Sequence, residues 1–240
     1  MSLSEALGLE ARDVVAFVGA GGKTTALRWL GVERAAVGER VVLLTTTKIE
    51  RQAGLRTVLA ALAREVETLG GPWPVLVVTA DLGTRLRGVP PELVDELARG
   101  GGGFRLLVQA DGAARRAFKA PDAFEPVVPS SATVVVSVVG LDVLGVPLDF
   151  RRVHRPERVA ALTGAAVGSA VSPQIIATVL LHPDGGGKGV PPGARRVAIL
   201  NKVESDDAWG AARAIAHRLA AAGITTLAGS LRDGALNRLG

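Results

Sequence analysis

The chain has no cysteine, no tyrosine, one methionine and 3% aromatic residues. Without cysteine there can be no disulfide, thiolate metal site or cysteine nucleophile, and the composition fits a reducing compartment. So few aromatics leave little material for stacking nucleobases along a strand. The opening residues lack a basic segment followed by an apolar one, and no run reaches the ~18 apolar residues of a membrane span. These absences predict a cytoplasmic protein with no membrane partner.

Basic residues are in excess, with a net charge of +5 and a pI near 10.4, and arginine predominates over lysine. They are scattered, with short pairs at Arg115-Arg116, Arg151-Arg152 and Arg195-Arg196 and no long block, which argues against a nucleic-acid partner. At 240 residues and 48% hydrophobic content the chain is expected to form a single domain over residues 1–240.

Short apolar runs alternate with alanine-rich amphipathic segments. The runs, read as seven strands, cover Val14 to Val18, Arg40 to Leu44, Val75 to Thr79, Arg105 to Ala110, Thr133 to Val138, Arg195 to Leu200 and Ile224 to Leu227. Being apolar almost throughout, they suit parallel strands covered on both faces. Helices are expected at Thr24 to Ala36, Leu55 to Leu69, Pro91 to Ala98, Pro156 to Leu162, Pro173 to Leu181 and Asp206 to Ala222. This alternation predicts a three-layer, doubly wound α/β fold with a mostly parallel sheet. The glycine-rich segment from His182 to Ala194 reads as a mobile surface loop carrying Lys188.

Gly19-Ala20-Gly21-Gly22-Lys23-Thr24-Thr25 follows the first expected strand and opens the first expected helix. That context suits a phosphate-binding loop, although the spacing is two residues shorter than G-x-x-x-x-G-K-[ST] and is similar to the loop of the Mur ligases. Glycines let backbone N–H groups turn toward phosphate oxygens, Lys23 would reach the outer phosphates and Thr24 would ligate Mg2+. The alternative is a structural strand-to-helix turn. Asp111, at the end of a buried strand before Gly112, is the expected acidic partner of the metal, or else a turn residue.

Asn201-Lys202-Val203-Glu204 follows the strand ending at Leu200. It resembles the N-K-x-D element with which guanine-binding proteins read a base, and also suits a helix-capping turn. Glu204 replaces the aspartate, so the expected nucleotide is ATP or GTP. After the last expected strand, Ala228-Gly229-Ser230 could add N–H groups near the base. In Thr45-Thr46-Thr47-Lys48, the hydroxyl of Thr46 could complete the metal shell and Lys48 could meet a phosphate or acidic substrate. Lys119, Glu125 and Asp142 are further candidates around the same crevice, and His154 is a candidate acid or base.

The ordered series "VGAGGKTT", "LLTTTKI", "QADGAARRAFKAPDAFEPVVP", "VVGLDVLGVPL", "VHRPERVAALTG" and "LNKVE" resembles the YqeC-like family of selenium-dependent molybdenum hydroxylase accessory proteins. The likeness runs from about Val14 to Glu204. It implies a P-loop nucleotide-binding protein acting in maturation of a molybdenum hydroxylase, with that hydroxylase or its cofactor as partner. Two positions depart from the family pattern: Gln109 stands where V-E-A-D-G has glutamate, and Glu204 where N-K-V-D has aspartate. Neither departure touches the glycine loop, so triphosphate binding is still expected, and the preferred activity is that of a Mg-dependent NTPase. The alternatives are a small-molecule kinase or ligase, and a non-hydrolysing nucleotide-dependent chaperone or scaffold.

Overall fold

A computed structural model describes residues 2–239. Its centre is a nine-stranded sheet. In chain order the strands are β1 (Val14–Gly19), β2 (Arg40–Thr45), β3 (Arg56–Leu59), β4 (Val75–Val78), β5 (Phe104–Gln109), β6 (Val134–Gly140), β7 (Arg195–Asn201), β8 (Thr225–Ser230) and β9 (Ala235–Leu239). Across the sheet they run β9-β8-β7-β6-β1-β5-β2-β4-β3. All neighbours are parallel except β8 and β9, which form a closing hairpin.

Helices α1 (Leu3–Ala6), α2 (Lys23–Ala36), α3 (Ala63–Glu67), α4 (Pro91–Arg99), α5 (Pro156–Thr163), α6 (Pro173–Leu181) and α7 (Asp206–Ala220) cover both faces. The alternation of side chains along each strand divides the core. Val15, Phe17, Leu43, Leu107, Val136 and Ile199 pack with α1 and α2. On the opposite face Val42, Leu44 and Val108 meet α3 and α4, while Ala198, Leu200 and Ala228 meet α5 to α7. Both sets are buried, which is why these strands are apolar at nearly every position. The helix starts follow local chemistry: the Ser205 hydroxyl accepts from the Ala208 N–H at 3.2 Å, and Ser172 caps α6 ahead of Pro173.

Three expectations are corrected. Leu55 to Leu69 is not one helix, despite apolar residues at three- and four-residue spacing. Arg56–Leu59 instead pairs with β4, whose outer edge offers unpaired backbone groups, and only Ala63–Glu67 is helical. The sheet has nine strands rather than seven, because β3 and the polar β9 carry little apolar signal; β9 places Ala228, Gly229 and Ser230 inside the paired part of β8. The segment after α6 is a compact series of turns, not a free loop. Lys188 Nζ donates to the carbonyls of Asp122 and Ala123, the latter at 2.9 Å. Among the described residues, no helix is long and apolar enough to cross a membrane.

Candidate functional site

The carboxyl end of β1 lies at the middle of the sheet, where chain connections depart to opposite sides and a crevice opens. From there the chain turns through Gly19 to Gly22 into α2. Ala20 is anchored by its N–H to the Val138 carbonyl at 2.8 Å. Gly21 has φ +79°, and a Cβ there would lie 2.6 Å from the Ala117 carbonyl oxygen. Gly22 has φ +150°, with a Cβ position 2.6 Å from Asn201 Nδ2. Side chains are thus excluded at both positions by neighbours as well as by conformation.

The backbone N–H groups of Gly21, Gly22, Lys23, Thr24 and Thr25 donate to no protein acceptor among the described residues. All five residues line a cleft of about 800 Å3, along with Lys48, Gln109, Glu125, His154, Lys202 and Glu204. Unsatisfied N–H groups in succession at the start of a 14-residue helix present partial positive charge to this space.

Beneath the loop lies a buried ionic cluster. Asp111 accepts the Gly19 N–H through Oδ2 at 2.9 Å. Its Oδ1 lies 3.0 Å from Lys23 Nζ and its Oδ2 lies 3.0 Å from Lys119 Nζ. Lys119 also donates to Glu125 Oε2 at 2.7 Å and to the Gly112 carbonyl at 2.6 Å. Arg155 joins Glu125 at 2.7 Å and Asp122 at 3.1 Å, so three cations meet three carboxylates.

Burial pushes the Lys23 ammonium below its usual range, with the charge of Asp111 opposing the change. Burial would raise the Glu125 carboxyl. Lys119 and Arg155 together outweigh that effect and hold it below the ordinary range. His154 is also lowered, first by burial and then by the charges of Arg155 and Lys119, which favours its neutral imidazole.

Thr24 lines the cleft, and its hydroxyl donates to Gln109 Oε1 at 2.8 Å, leaving oxygen lone pairs for a cation. Asp111 lies below the cleft, facing a small cavity, with Lys23 above it; Oδ1 is in ion-pair contact yet accepts no aligned hydrogen bond. No group of three His, Cys, Asp or Glu residues converges as a protein-only metal cage among the described residues. The Thr24 hydroxyl on the cleft wall suits a magnesium ion that takes its other ligands from phosphates and water, whereas Asp111 stands off the cleft behind Lys23 and would reach such an ion only after Lys23 moves.

The structure brings Lys23, Thr24, Thr25, Lys48, His154, Asn201, Lys202 and Glu204 to one cleft. It does not bring Thr46 there as a free hydroxyl: Thr46 Oγ1 donates to the Val127 carbonyl at 2.7 Å and ties β2 to the following loop. Asn201 lines the cleft and also holds structural partners. Its Nδ2 donates to the Gly21 carbonyl at 2.7 Å and its Oδ1 accepts the Leu231 N–H at 2.8 Å. The amide thus fastens the glycine loop to the turn after β8. Lys202 pairs with Asp142 at 2.8 Å, which keeps Asp142 occupied at the rim.

Sequence reasoning missed the direct contact between Lys119 and Asp111, and treated Gln109 only as a lost carboxylate. It also passed over Arg85, Arg115 and Arg116, all of which line the cleft. The Arg115-Arg116 pair was visible as charge, but nothing local distinguished it from the other arginine pairs.

Comparison with known proteins supplies the family. The family model described as YqeC protein matches residues 15–157, a span that contains the glycine loop, Asp111, Lys119, Glu125 and His154. "Uncharacterized protein YqeC" of Escherichia coli (strain K12) is 32% identical over 207 residues, covering 82% of this chain and 78% of that protein. The chain belongs to the YqeC family.

Proposed function

We propose that this protein binds a nucleoside triphosphate, ATP or GTP, with Mg2+ and hydrolyses it in the course of maturing a molybdenum hydroxylase. The observation that carries the reading is the run of five free N–H groups from Gly21 to Thr25 on the cleft wall, with Lys23 among them. The hydroxylase setting rests on the family resemblance alone.

In this reading the loop N–H groups hold the phosphates, and the Lys23 ammonium leaves Asp111 and the Gly19 carbonyl to meet the outer phosphate. Lys119 stays on Asp111, so the carboxylate is not left buried and unpaired. Thr24, and Asp111 once Lys23 has moved, would hold a magnesium ion, which would supply neutralisation of the phosphate charge. Glu125 is kept ionised by Lys119 and Arg155 and is a weak proton acceptor. His154, on the cleft wall with its neutral form favoured, is the better candidate to take a proton from attacking water at its imidazole nitrogen.

Isothermal titration calorimetry of ATP and GTP with Mg2+ tests the reading. Wild-type protein should bind one of them in the micromolar range, and Lys23→Ala should weaken binding at least about tenfold, as expected for loss of a charge-assisted contact. No binding of either nucleotide, or equal binding by the variant, would refute it.

A further inference from the structure

The cleft extends well past the glycine loop, and its two halves differ in charge. The loop sits at β1. On one side, the last residues of β7 and β8 and the segments after them contribute Asn201, Lys202, Glu204, Ser230 and Arg232; on the other, segments following β2 and β5 contribute Lys48, Glu50, Arg115 and Arg116. Arg85 joins the second side from a small three-stranded sheet in which Arg85 lies opposite Glu50.

This second wall carries four cations against two carboxylates, Glu50 and Glu125, and Glu125 is already matched by Lys119 and Arg155. Arg115 grips Glu50 through two bonds, at 3.1 and 2.6 Å, and holds its carboxyl below the ordinary range. Lys48, Arg85 and Arg116 have no carboxylate within ion-pair distance among the described residues. The chain beside them is unusual too. Ala114 and Arg115, neither of them glycine, both have left-handed backbone, with φ of 44° and 58°. Consecutive strained residues persist where surrounding structure enforces them, and they concentrate at ligand sites.

We infer that the wall formed by Lys48, Arg85 and Arg116 is a second anion subsite, which holds a small molecule bearing phosphate or carboxylate groups beside the outer end of the triphosphate. The orientation rests on the proposed nucleotide reading: a base toward β7 and β8 directs the terminal phosphate toward β5 and β2. The ligand class rests on the wall itself. Unpaired guanidinium groups recognise oxyanions by paired N–H donors, and a cleft lined by one sign of charge concentrates ligands of the other.

The test is calorimetric titration of inorganic phosphate and of citrate, at low ionic strength because exposed charges are screened by salt. It uses wild-type protein, Lys23→Ala, Arg85→Ala, Arg85→Glu and Arg116→Ala. At least one probe should bind, with affinity in Lys23→Ala within about twofold of wild type. Arg85→Ala and Arg116→Ala should each weaken it about tenfold, the loss of one charge-assisted contact, and Arg85→Glu should abolish it. Arg85 is exposed, so its variants keep the test valid even if Arg116→Ala disturbs the bond from Arg116 Nε to the Phe150 carbonyl. Binding lost only in Lys23→Ala would assign the anion to the glycine loop and overturn the inference. Failure of both probes to bind would do the same. If neither ATP nor GTP binds while the arginine dependence persists, the subsite stands and the triphosphate reading falls.

Discussion

Lys119 shows how much one residue can hold together. Its ammonium, 4% exposed as a residue, serves Asp111, Glu125 and the Gly112 carbonyl at once. Lys23 shares only Asp111 and the Gly19 carbonyl, and in the proposed function it must be free to move. The two lysines should therefore differ under mutation. Lys119→Ala takes one cation from both Asp111 and Glu125, leaving Asp111 on Lys23 and Glu125 on Arg155, and removes the link between them, so it should destabilise more than Lys23→Ala. Lys23→Ala leaves Asp111 on Lys119 and should cost much less. Urea denaturation of the two variants checks the ranking, and equal losses would show that Lys119 is not the anchor.

At the scale of elements, the sheet is tied together at its other end as well. Arg105, at the start of β5, donates to Glu39 before β2 and to the Glu10 and Asp13 carbonyls before β1. The Arg34 hydrogen bond, partly opposed by burial and reinforced by Arg105, lowers the Glu39 pKa from an ordinary 4.5 to about 2. A carboxyl whose folded pKa is depressed contributes stability that is present above its unfolded value and lost as pH falls through the folded one. The advantage of wild type over Glu39→Gln should accordingly be full above pH 4.5 and fade toward pH 2. Thermal melting of both proteins across that window measures it, and an advantage independent of pH would contradict the assignment.

Elements also mark what the sequence could and could not disclose. The central parallel strands were legible because both faces are buried and the run of apolar residues is continuous. The Arg56–Leu59 strand was not, since its alternating half-exposed residues overlap a helix-like spacing and only pairing with β4 decides between them. The glycine loop could be found from local order because its function, if phosphate binding, needs contiguous N–H groups. The structural bonds of Asn201 could not be read locally, because its partners Gly21 and Leu231 lie 180 and 30 residues away. The charged wall was hidden for the same reason: Lys48, Arg85 and Arg116 come from three separate connections.

Over the whole molecule, the switch in direction at β1 places the loop between a half of the cleft that ends in Asn201 and Glu204 and a half lined by unpaired cations. Asp111 joins the parts: it contacts the loop through Gly19 and Lys23, and the long connection after β5 through Lys119. In the proposed function, movement of Lys23 onto a phosphate would leave that connection in place while uncovering Asp111.

The central claim is that the N–H groups of Gly21 to Thr25 receive the phosphates, and amide-resolved NMR of isotopically labelled protein tests it most directly. Addition of ATP or GTP with Mg2+ should shift the five amide signals from Gly21 to Thr25 together, as expected when free N–H groups become donors to phosphate oxygens. If those amides stay in place while others move, or if no signal moves at all, the loop is a structural turn and the account is contradicted.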